Sequence, residues 1–192
     1  MKIGIYGGCF NPPHNIHKDL PLKLIEKGYV DKVIYVPTGN KYNKLNLASN
    51  EDRYNMLKIL VDKNNNLALS DFEFKNKLVY TYQTMDYFKN KYPNDILYFI
   101  CGTDNLEELD KWKNYEYIIT NYKFLVANRA GTSISKMLNK YKKFVDNILV
   151  INIEKNKVSS TIIRERLKNN EDDISELIDE NILDYIRQKK LY

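Results

Sequence analysis

Cysteine is scarce in this chain of 192 residues, which contains only Cys9 and Cys101. Two cysteines are too few for a disulfide framework or a zinc cluster, so we expect two small buried residues. The chain also lacks any run of about 18 apolar residues, so no membrane span is expected. Its first residues, MKIGIYGG, lack the charged-then-apolar layout of a signal sequence and predict a strand. A cytoplasmic protein is therefore expected.

A concentrated basic stripe is missing as well. Lys and Arg number 30 against 25 Asp and Glu, and the lysines are scattered among Asn, Tyr and Glu. Proteins that bind nucleic acid usually concentrate positive charge on one face or along one helix. We therefore expect no nucleic-acid partner despite the net charge of +5. The composition, 43% apolar and 29% charged, is that of an ordinary globular protein.

Short apolar runs alternate with amphipathic segments along the chain. The runs predict strands at Lys2–Tyr6, Lys32–Val36, Ala68–Phe72, Ile96–Cys101, Lys123–Ala127 and Ile148–Ile153. The segments between and after them predict helices at His17–Lys27, Glu51–Lys63, Thr81–Lys91, Lys136–Phe144, Thr161–Lys168 and Ser175–Gln188. This alternation predicts an α/β fold with a doubly wound, largely parallel sheet. Because no repeat, linker or composition break is present, one domain is expected over residues 1–192, with a C-terminal helical part at about 158–192.

Glycine and polar residues collect after the predicted strands. The stretches that follow the first, second, fourth, fifth and sixth strands are GGCFNPPHNIH, PTGNKYNK, GTDN, NRAG and KVSSTIIRERL. In an open parallel sheet, ligands bind outside the carboxyl ends of the strands, where the strand order reverses. Five such loops at one edge of the sheet indicate a ligand site more strongly than any single motif.

The only two histidines, His14 and His17, lie three residues apart at the start of a predicted helix. They would point to nearly the same side, where two imidazoles can donate hydrogen bonds to phosphate oxygens. Gly7 and Gly8 precede them and permit close approach of the backbone to a phosphate. An isolated pair of this kind is more often one surface histidine and one satisfied polar group. Metal binding is set aside, since no nearby carboxylate or third histidine completes a ligand set.

The segment VSSTIIRERL offers a second candidate anion site. Ser159, Ser160 and Thr161 can cap a helix whose free N–H groups attract anions. Arg164 lies three residues beyond Thr161 on the same face, so its guanidinium would reach a phosphate held there. The alternative is an ordinary helix cap with the arginine in solvent. Trp112, the single tryptophan, either stacks on a ligand ring or packs on the edge of the domain.

These motifs resemble those of a known family. GGCFNPPHNIH resembles the G-G-[ST]-F-[DN]-P-x-H-x-G-H signature of the nucleotidylyltransferase superfamily, and VSSTIIR resembles its I-S-S-T-x-I-R partner motif. Along its whole length the chain is similar to the bacterial nicotinate-nucleotide adenylyltransferase family. The stretches that carry this similarity are VPTGNKYNK, RYNML, YTYQTM, YFICGTDNLEEL with WKNYE, LVANRAG and YIRQKKLY.

The resemblance implies a Rossmann-like nucleotidylyltransferase fold and a specific reaction. The phosphate of nicotinate mononucleotide would attack the α-phosphorus of ATP, giving deamido-NAD and pyrophosphate without a covalent protein intermediate. Catalysis would then consist of positioning and charge stabilisation. The implied cofactor is Mg²⁺ bound mainly through the ATP phosphates, with no metal site made by the protein.

The resemblance also assigns roles to individual residues. His14, His17 and Arg164 would be the catalytic residues, which hold the ATP phosphates and stabilise the leaving pyrophosphate. The implied ATP-binding residues are Gly7, Gly8, Cys9, Phe10, Gly102, Asp104, Ser159, Ser160 and Thr161. The implied pocket for the mononucleotide consists of Asn40, Lys44, Thr81, Trp112 and Arg129, with the indole stacked on the pyridine ring.

Three residues depart from the family pattern. Ile16 replaces a glycine between the histidines, and Cys9 replaces the usual Ser or Thr. Pro21 falls within the helix that should carry His17, where its ring would clash with the His17 carbonyl unless the helix starts late. Either the loop is re-formed around a different nucleotide pose or catalysis is impaired. Transfer to nicotinamide mononucleotide or another small phosphate ester, and a nucleotide-binding homologue without turnover, stay open. The oligomeric state, including a homo-oligomer, is also open.

Overall fold

The computed structural model describes residues 1–39, 47–76, 79–129, 134–153, 158–171 and 174–192, with Arg129 described by its backbone alone. Within these ranges, six parallel strands form one sheet in the order β3-β2-β1-β4-β5-β6. The strands are β1 Lys2–Gly8, β2 Lys32–Pro37, β3 Leu67–Leu69, β4 Ile96–Gly102, β5 Lys123–Arg129 and β6 Ile148–Ile153. The predicted doubly wound parallel sheet is confirmed.

Helices cover both faces of this sheet. They are α1 Asn15–Glu26, α2 Asn50–Val61, α3 Phe72–Lys75, α4 Thr81–Lys91, α5 Thr103–Glu107, α6 Tyr115–Asn121, α7 Ile134–Lys140, α8 Ser160–Lys168 and α9 Glu180–Lys189. The short helices α3, α5 and α6 were not predicted, because four to seven residues are too few for a periodic signal. Helix α9 begins five residues later than predicted, since the Asp179 carboxylate caps it by accepting a hydrogen bond from Asn181 N–H. Among the described residues, no helix combines the length and apolar character that a membrane crossing needs.

The central strands are buried on both faces, as parallel sheets require. Ile3 and Ile5 of β1 belong to the hydrophobic cluster on the side of α4, α5 and α6, whereas Tyr6 belongs to the cluster on the side of α1 and α2. A third cluster joins the start of α1 and the outer face of α2 to α8 and α9. Its members include Ile16, Met56, Leu60, Ile163, Ile182 and Ile186. The C-terminal helices therefore pack beside the loop that carries the histidines.

Pro21 lies inside α1, which begins at Asn15 and not late. The His17 carbonyl, which faces the proline one turn along the helix, accepts a hydrogen bond from the Tyr35 hydroxyl at 2.8 Å. The carbonyl whose helical N–H donor Pro21 removes is thus bonded to the sheet. The expected conflict between this proline and the helix is resolved by a side chain of β2.

Candidate active site

The candidate site lies at the carboxyl ends of β1 and β4, where the strand order reverses. A cavity of about 360 Å³ opens there, lined by the end of β1, the start of α4 and the segment around Trp112. A second space, of about 570 Å³, adjoins it and is lined by the first turn of α5 and by the same tryptophan. Cavities of this size hold small organic ligands. The structure therefore has room for two such groups, and Trp112 lines both spaces.

The end of β1 and the residue that follows it bring the backbone to the first cavity. Gly7, Gly8 and Cys9 all line it. A Cβ on Gly8 would lie 3.1 Å from the Phe10 ring, so a side chain there would force the ring to move. Phe10 has a positive φ of 48° and only 2% of its surface exposed. Its ring is part of the hydrophobic core, so a ligand can contact Phe10 only through its backbone.

His14 and His17 stand at the first turn of α1, with their rings stacked at a centroid distance of 3.7 Å. The backbone N–H of His14 donates to Nδ1 of His17 at 3.2 Å. In a neutral His17 ring, the proton then lies on Nε2, which makes Nε2 a hydrogen-bond donor. The shared direction of the two imidazoles, predicted from their spacing, is present in the structure.

Arg164 joins the C-terminal motif, residues 159–164, to the histidine loop, residues 9–17. Its guanidinium donates to the carbonyl of Asn11 at 2.7 Å and to the Thr161 hydroxyl at 3.2 Å. The Ser160 hydroxyl donates to the carbonyl of Pro12 at 2.9 Å. Ser159 caps α8 by accepting from the N–H of Ile162 at 3.2 Å. The two motifs thus meet through direct hydrogen bonds, and both helix starts lie at one edge of the sheet.

Trp112 and Thr81 line the first cavity together. The half-buried indole packs edge-on against Phe99 at 5.7 Å and 87°. Thr81 is the first residue of α4, a position whose N–H is not bonded within the helix. An aromatic face and a helix N-terminus are thereby offered to the same ligand.

Gly102 is the last residue of β4, and Asp104 follows two positions later beside the second space. Asp104 is exposed in the first turn of α5 and lines that space. A Cβ on Gly102 would collide with the Asp104 carboxylate, so glycine lets the aspartate fold back over the end of the strand. The predicted residues Asn40 and Lys44 and the side chain of Arg129 lie outside the described residues, and their roles stay predictions.

Ile16 and Cys9, which depart from the family pattern, are both accommodated. Ile16 is 7% exposed, and its side chain belongs to the hydrophobic cluster shared with the C-terminal helices. It therefore packs into the protein interior instead of filling the cavity. Cys9 is half-buried, and its sulfur accepts a hydrogen bond from the Thr38 hydroxyl at 3.4 Å.

The sequence interpretation missed Arg53, which is fully buried behind the site. Its guanidinium donates to the carbonyls of Cys9 at 2.8 Å and Thr38 at 2.6 Å, and its Nε donates to that of Ala48 at 3.3 Å. It thereby holds the turns after β1 and β2 together. One signal was available: Arg53 shares the buried face of α2 with Met56, Leu57 and Leu60. A charge on an apolar helix face indicates a specific partner.

Glu73 was also missed, because α3 is too short to show a pattern. It lines the first cavity with 8% of its surface exposed. The Thr84 hydroxyl donates to Oε1 at 2.7 Å, and the backbone N–H of Gly39 lies close enough to the carboxylate to lower its pKa. Burial raises the pKa of Glu73 to about 7, against the opposing effects of the Thr84 hydrogen bond and the Arg53 charge. A titratable group thus faces the cavity near neutral pH.

Glu73→Gln should flatten the pH dependence of stability. A carboxyl whose pKa rises on folding binds its proton more tightly in the folded state, so its contribution to the free energy of unfolding falls as pH rises from 4.5 to about 7. Glutamine removes this loss and can still accept from Thr84. Urea unfolding gives the free energy of unfolding of both proteins at pH 5 and pH 8. The difference, variant minus wild type, should be about 1–3 kcal/mol larger at pH 8 than at pH 5. Parallel pH profiles for the two proteins would contradict the assignment.

Comparison with known proteins gives a consistent set of relatives. The cytidylyltransferase-like family model matches residues 5–166. The probable nicotinate-nucleotide adenylyltransferase of Clostridium acetobutylicum is 39% identical over 198 residues, which cover 100% of this chain and 98% of that protein. The protein of the same description from Clostridium tetani is 37% identical with the same coverage.

Solved structures agree with these relatives. Plasmodium falciparum nicotinic acid mononucleotide adenylyltransferase complexed with NaAD is 26% identical and has a TM-score of 0.86, covering 100% of this chain and 97% of that one. The same enzyme complexed with APC is 25% identical with a TM-score of 0.83, covering 100% and 96%. The likeness thus extends over both motifs and the helices that carry them.

Proposed function

Because this chain belongs to the nicotinate-nucleotide adenylyltransferases of the cytidylyltransferase-like family, we propose that it transfers an adenylyl group from ATP to nicotinate mononucleotide. A phosphate oxygen of the mononucleotide bonds to the α-phosphorus of ATP, and the bond from that phosphorus to the bridging oxygen of the β-phosphate breaks. Deamido-NAD and pyrophosphate result. The observation that carries the proposal is the bonding of Arg164 to the histidine loop beside a cavity lined by Trp112.

The phosphates of ATP are assigned to the two helix starts. Nε2 of His17 can donate to a phosphate oxygen because Nδ1 already accepts from the backbone. Arg164 keeps further guanidinium N–H groups for the β- and γ-phosphates, and its charge favours the leaving pyrophosphate. Ser159, Ser160 and Thr161 hold the start of α8, whose dipole adds positive potential. His14 supports His17 through the stacked rings and contributes a second imidazole.

The remaining parts of ATP and the mononucleotide are assigned to the two spaces. The backbone of Gly7, Gly8, Cys9 and Phe10 would approach the nucleotide closely, and Gly102 and Asp104 would meet the adenosine. Trp112 would stack on the pyridine ring. Thr81, at the start of α4, would offer its N–H to the ring carboxylate. Asn40, Lys44 and Arg129 complete the proposed mononucleotide pocket.

Mg²⁺ fits this site only as a companion of the nucleotide. Among the described residues, no three His, Cys, Asp or Glu side chains are grouped so that they could hold a metal ion. Mg²⁺ does not require such a group, since it commonly binds substrate phosphates and water with few protein ligands. When bound, the ion would neutralise charge on the phosphates, while the imidazoles and Arg164 orient them.

The proposal covers the whole chain as one catalytic domain, with residues 158–192 supplying the arginine motif. We also propose a cytoplasmic location. Cys9 and Cys101 are not joined in a disulfide, whereas secreted domains commonly pair their cysteines. A homo-oligomer, and the absence of a nucleic-acid partner, stay predictions from the sequence.

Pyrophosphate release in the presence of ATP and Mg²⁺ tests the reaction directly. We expect release with nicotinate mononucleotide and a lower kcat/KM with nicotinamide mononucleotide. A higher kcat/KM with nicotinamide mononucleotide would make that mononucleotide the acceptor in place of nicotinate mononucleotide. ATP binding without pyrophosphate release would instead indicate a nucleotide-binding homologue that has lost turnover.

His17→Ala tests the phosphate site. We expect kcat to fall by about 100-fold or more, since a preorganised donor to the developing charge is lost. The far-UV circular dichroism spectrum should stay unchanged. Asp19→Ala, an exposed neighbour on the same helix, serves as the control and should keep wild-type kinetics. A wild-type kcat in His17→Ala would remove this residue from the site.

Trp112→Ala tests the pyridine pocket. The KM for nicotinate mononucleotide should rise roughly 5- to 150-fold, which corresponds to about 1–3 kcal/mol for a lost ring stack. The KM for ATP should change much less. Trp112→Phe, which retains an aromatic ring, should recover most of the affinity. An unchanged KM for the mononucleotide in the alanine variant would place the ring elsewhere.

A further inference from the structure

Pro21 leaves a gap in the hydrogen bonding of α1. In an α-helix, the N–H of residue 21 donates to the carbonyl of residue 17. Proline has no N–H, so the His17 carbonyl loses its donor within the helix. This carbonyl lies in the first turn, directly on the backbone that carries the His17 imidazole. An unsatisfied acceptor at this point would loosen the helix where the proposed phosphate site requires it to be fixed.

The missing donor is supplied from the sheet. The hydroxyl of Tyr35, on β2, donates to the His17 carbonyl at 2.8 Å. Tyr35 is fully buried, and its backbone pairs with Tyr6 in the parallel ladder between β1 and β2. Burial raises the pKa of Tyr35 well above its usual value, so the hydroxyl keeps its proton over the whole range in which proteins are assayed. The donor thus keeps its proton and lies on a buried inner strand of the sheet.

The Tyr35 ring also supports the aromatic residues that surround the His17 imidazole. It lies 5.7 Å from the Phe10 ring and 5.6 Å from the Tyr6 ring. Phe10 and Tyr6 in turn contact the His17 ring at 5.0 Å and 6.1 Å. The Tyr35 side chain therefore holds His17 in two ways. It bonds to the His17 carbonyl, and it packs against the rings that contact the His17 imidazole.

We propose that Tyr35 is a positioning residue for His17, whose hydroxyl replaces the backbone donor that Pro21 removes and so fixes the imidazole at the phosphate site. The inference rests on the proposed function, because it takes His17 as a phosphate-binding residue. It adds a residue that touches no substrate. In a reaction that proceeds by positioning alone, a shift of about 1 Å in such a group can change the rate by about 100-fold.

Tyr35→Phe and Pro21→Ala, separately and combined, test this inference. Tyr35→Phe keeps the ring and removes the donor, so kcat should fall about tenfold or more, with little change in the KM for the mononucleotide. Pro21→Ala restores an N–H at position 21 and should keep nearly wild-type kinetics. In the double variant, this restored N–H can satisfy the His17 carbonyl, so most of the lost kcat should return.

Tyr122→Phe is the matched control. It removes the hydroxyl of another buried tyrosine, one that donates to Asp86 and does not contact His17. We expect it to lower the melting temperature without lowering kcat. If Tyr35→Phe keeps wild-type kcat, Tyr35 has only a packing role. If it loses as much activity with alanine at position 21 as with proline, the hydroxyl does not act through the His17 carbonyl. Either result overturns the inference.

Nitrogen NMR of the His17 imidazole in the free protein gives a readout that does not depend on turnover. Tyr35→Phe should shift its resonances, and Pro21→Ala should suppress that shift. If the wild-type protein released no pyrophosphate, the proposed function would fail, yet these spectra would still decide whether Tyr35 fixes His17. Identical His17 spectra in wild type and Tyr35→Phe would overturn the inference.

Discussion

The hydrogen bond from the Arg164 guanidinium to the Asn11 carbonyl joins two parts of the chain that lie 153 positions apart. Neither part forms a site alone. The histidine loop supplies two imidazoles, and α8 supplies the charged guanidinium of Arg164. The proposed phosphate site needs both. Because this bond and that of Ser160 to Pro12 use backbone carbonyls of the loop, they fix the position of α8 against the loop itself. The proposed triphosphate site depends on this junction.

Beneath the loops lies a small set of buried polar groups. Arg53 bonds to carbonyls of the turns after β1 and β2, and Tyr35 bonds to the carbonyl of His17. These turns have to keep a fixed shape if the residues that they carry are to face a ligand. Buried donors that reach their carbonyls supply that rigidity, because an alternative loop position would leave the donors unsatisfied. The site is therefore organised from the core outward.

Sequence patterns sufficed for the elements with strong periodicity. The strands around Ile5, Ile34 and Ile100 and the longer helices follow from their apolar spacing, and the parallel sheet follows from their alternation. The expectation that loops share one edge follows from the rule for parallel sheets, and the family predicted from the motifs is confirmed by the identity to the clostridial relatives. The assignment of single residues to ATP and mononucleotide stays a prediction.

What the sequence could not supply are contacts made across the fold. Nothing local to Tyr35 indicates that its hydroxyl will meet the turn of α1 that contains Pro21. The burial of Glu73 depends on α4, and that of Ile16 depends on helices more than a hundred residues away. Such contacts arise from packing between distant elements, so local spacing carries no trace of them. The apparent conflicts at Ile16 and Pro21 are resolved by these tertiary neighbours.

The first helix is bonded directly to the C-terminal part of the chain. The N–H of Asn15 donates to the Leu177 carbonyl at 3.0 Å, and its side-chain amide donates to the Glu176 carbonyl at 2.8 Å. A ribosome makes residue 15 long before residue 177, and domains complete their packing as units. A nascent chain can consequently build its sheet before the loop that carries the histidines meets α8 and α9. The proposed triphosphate site is then complete only when these final helices dock.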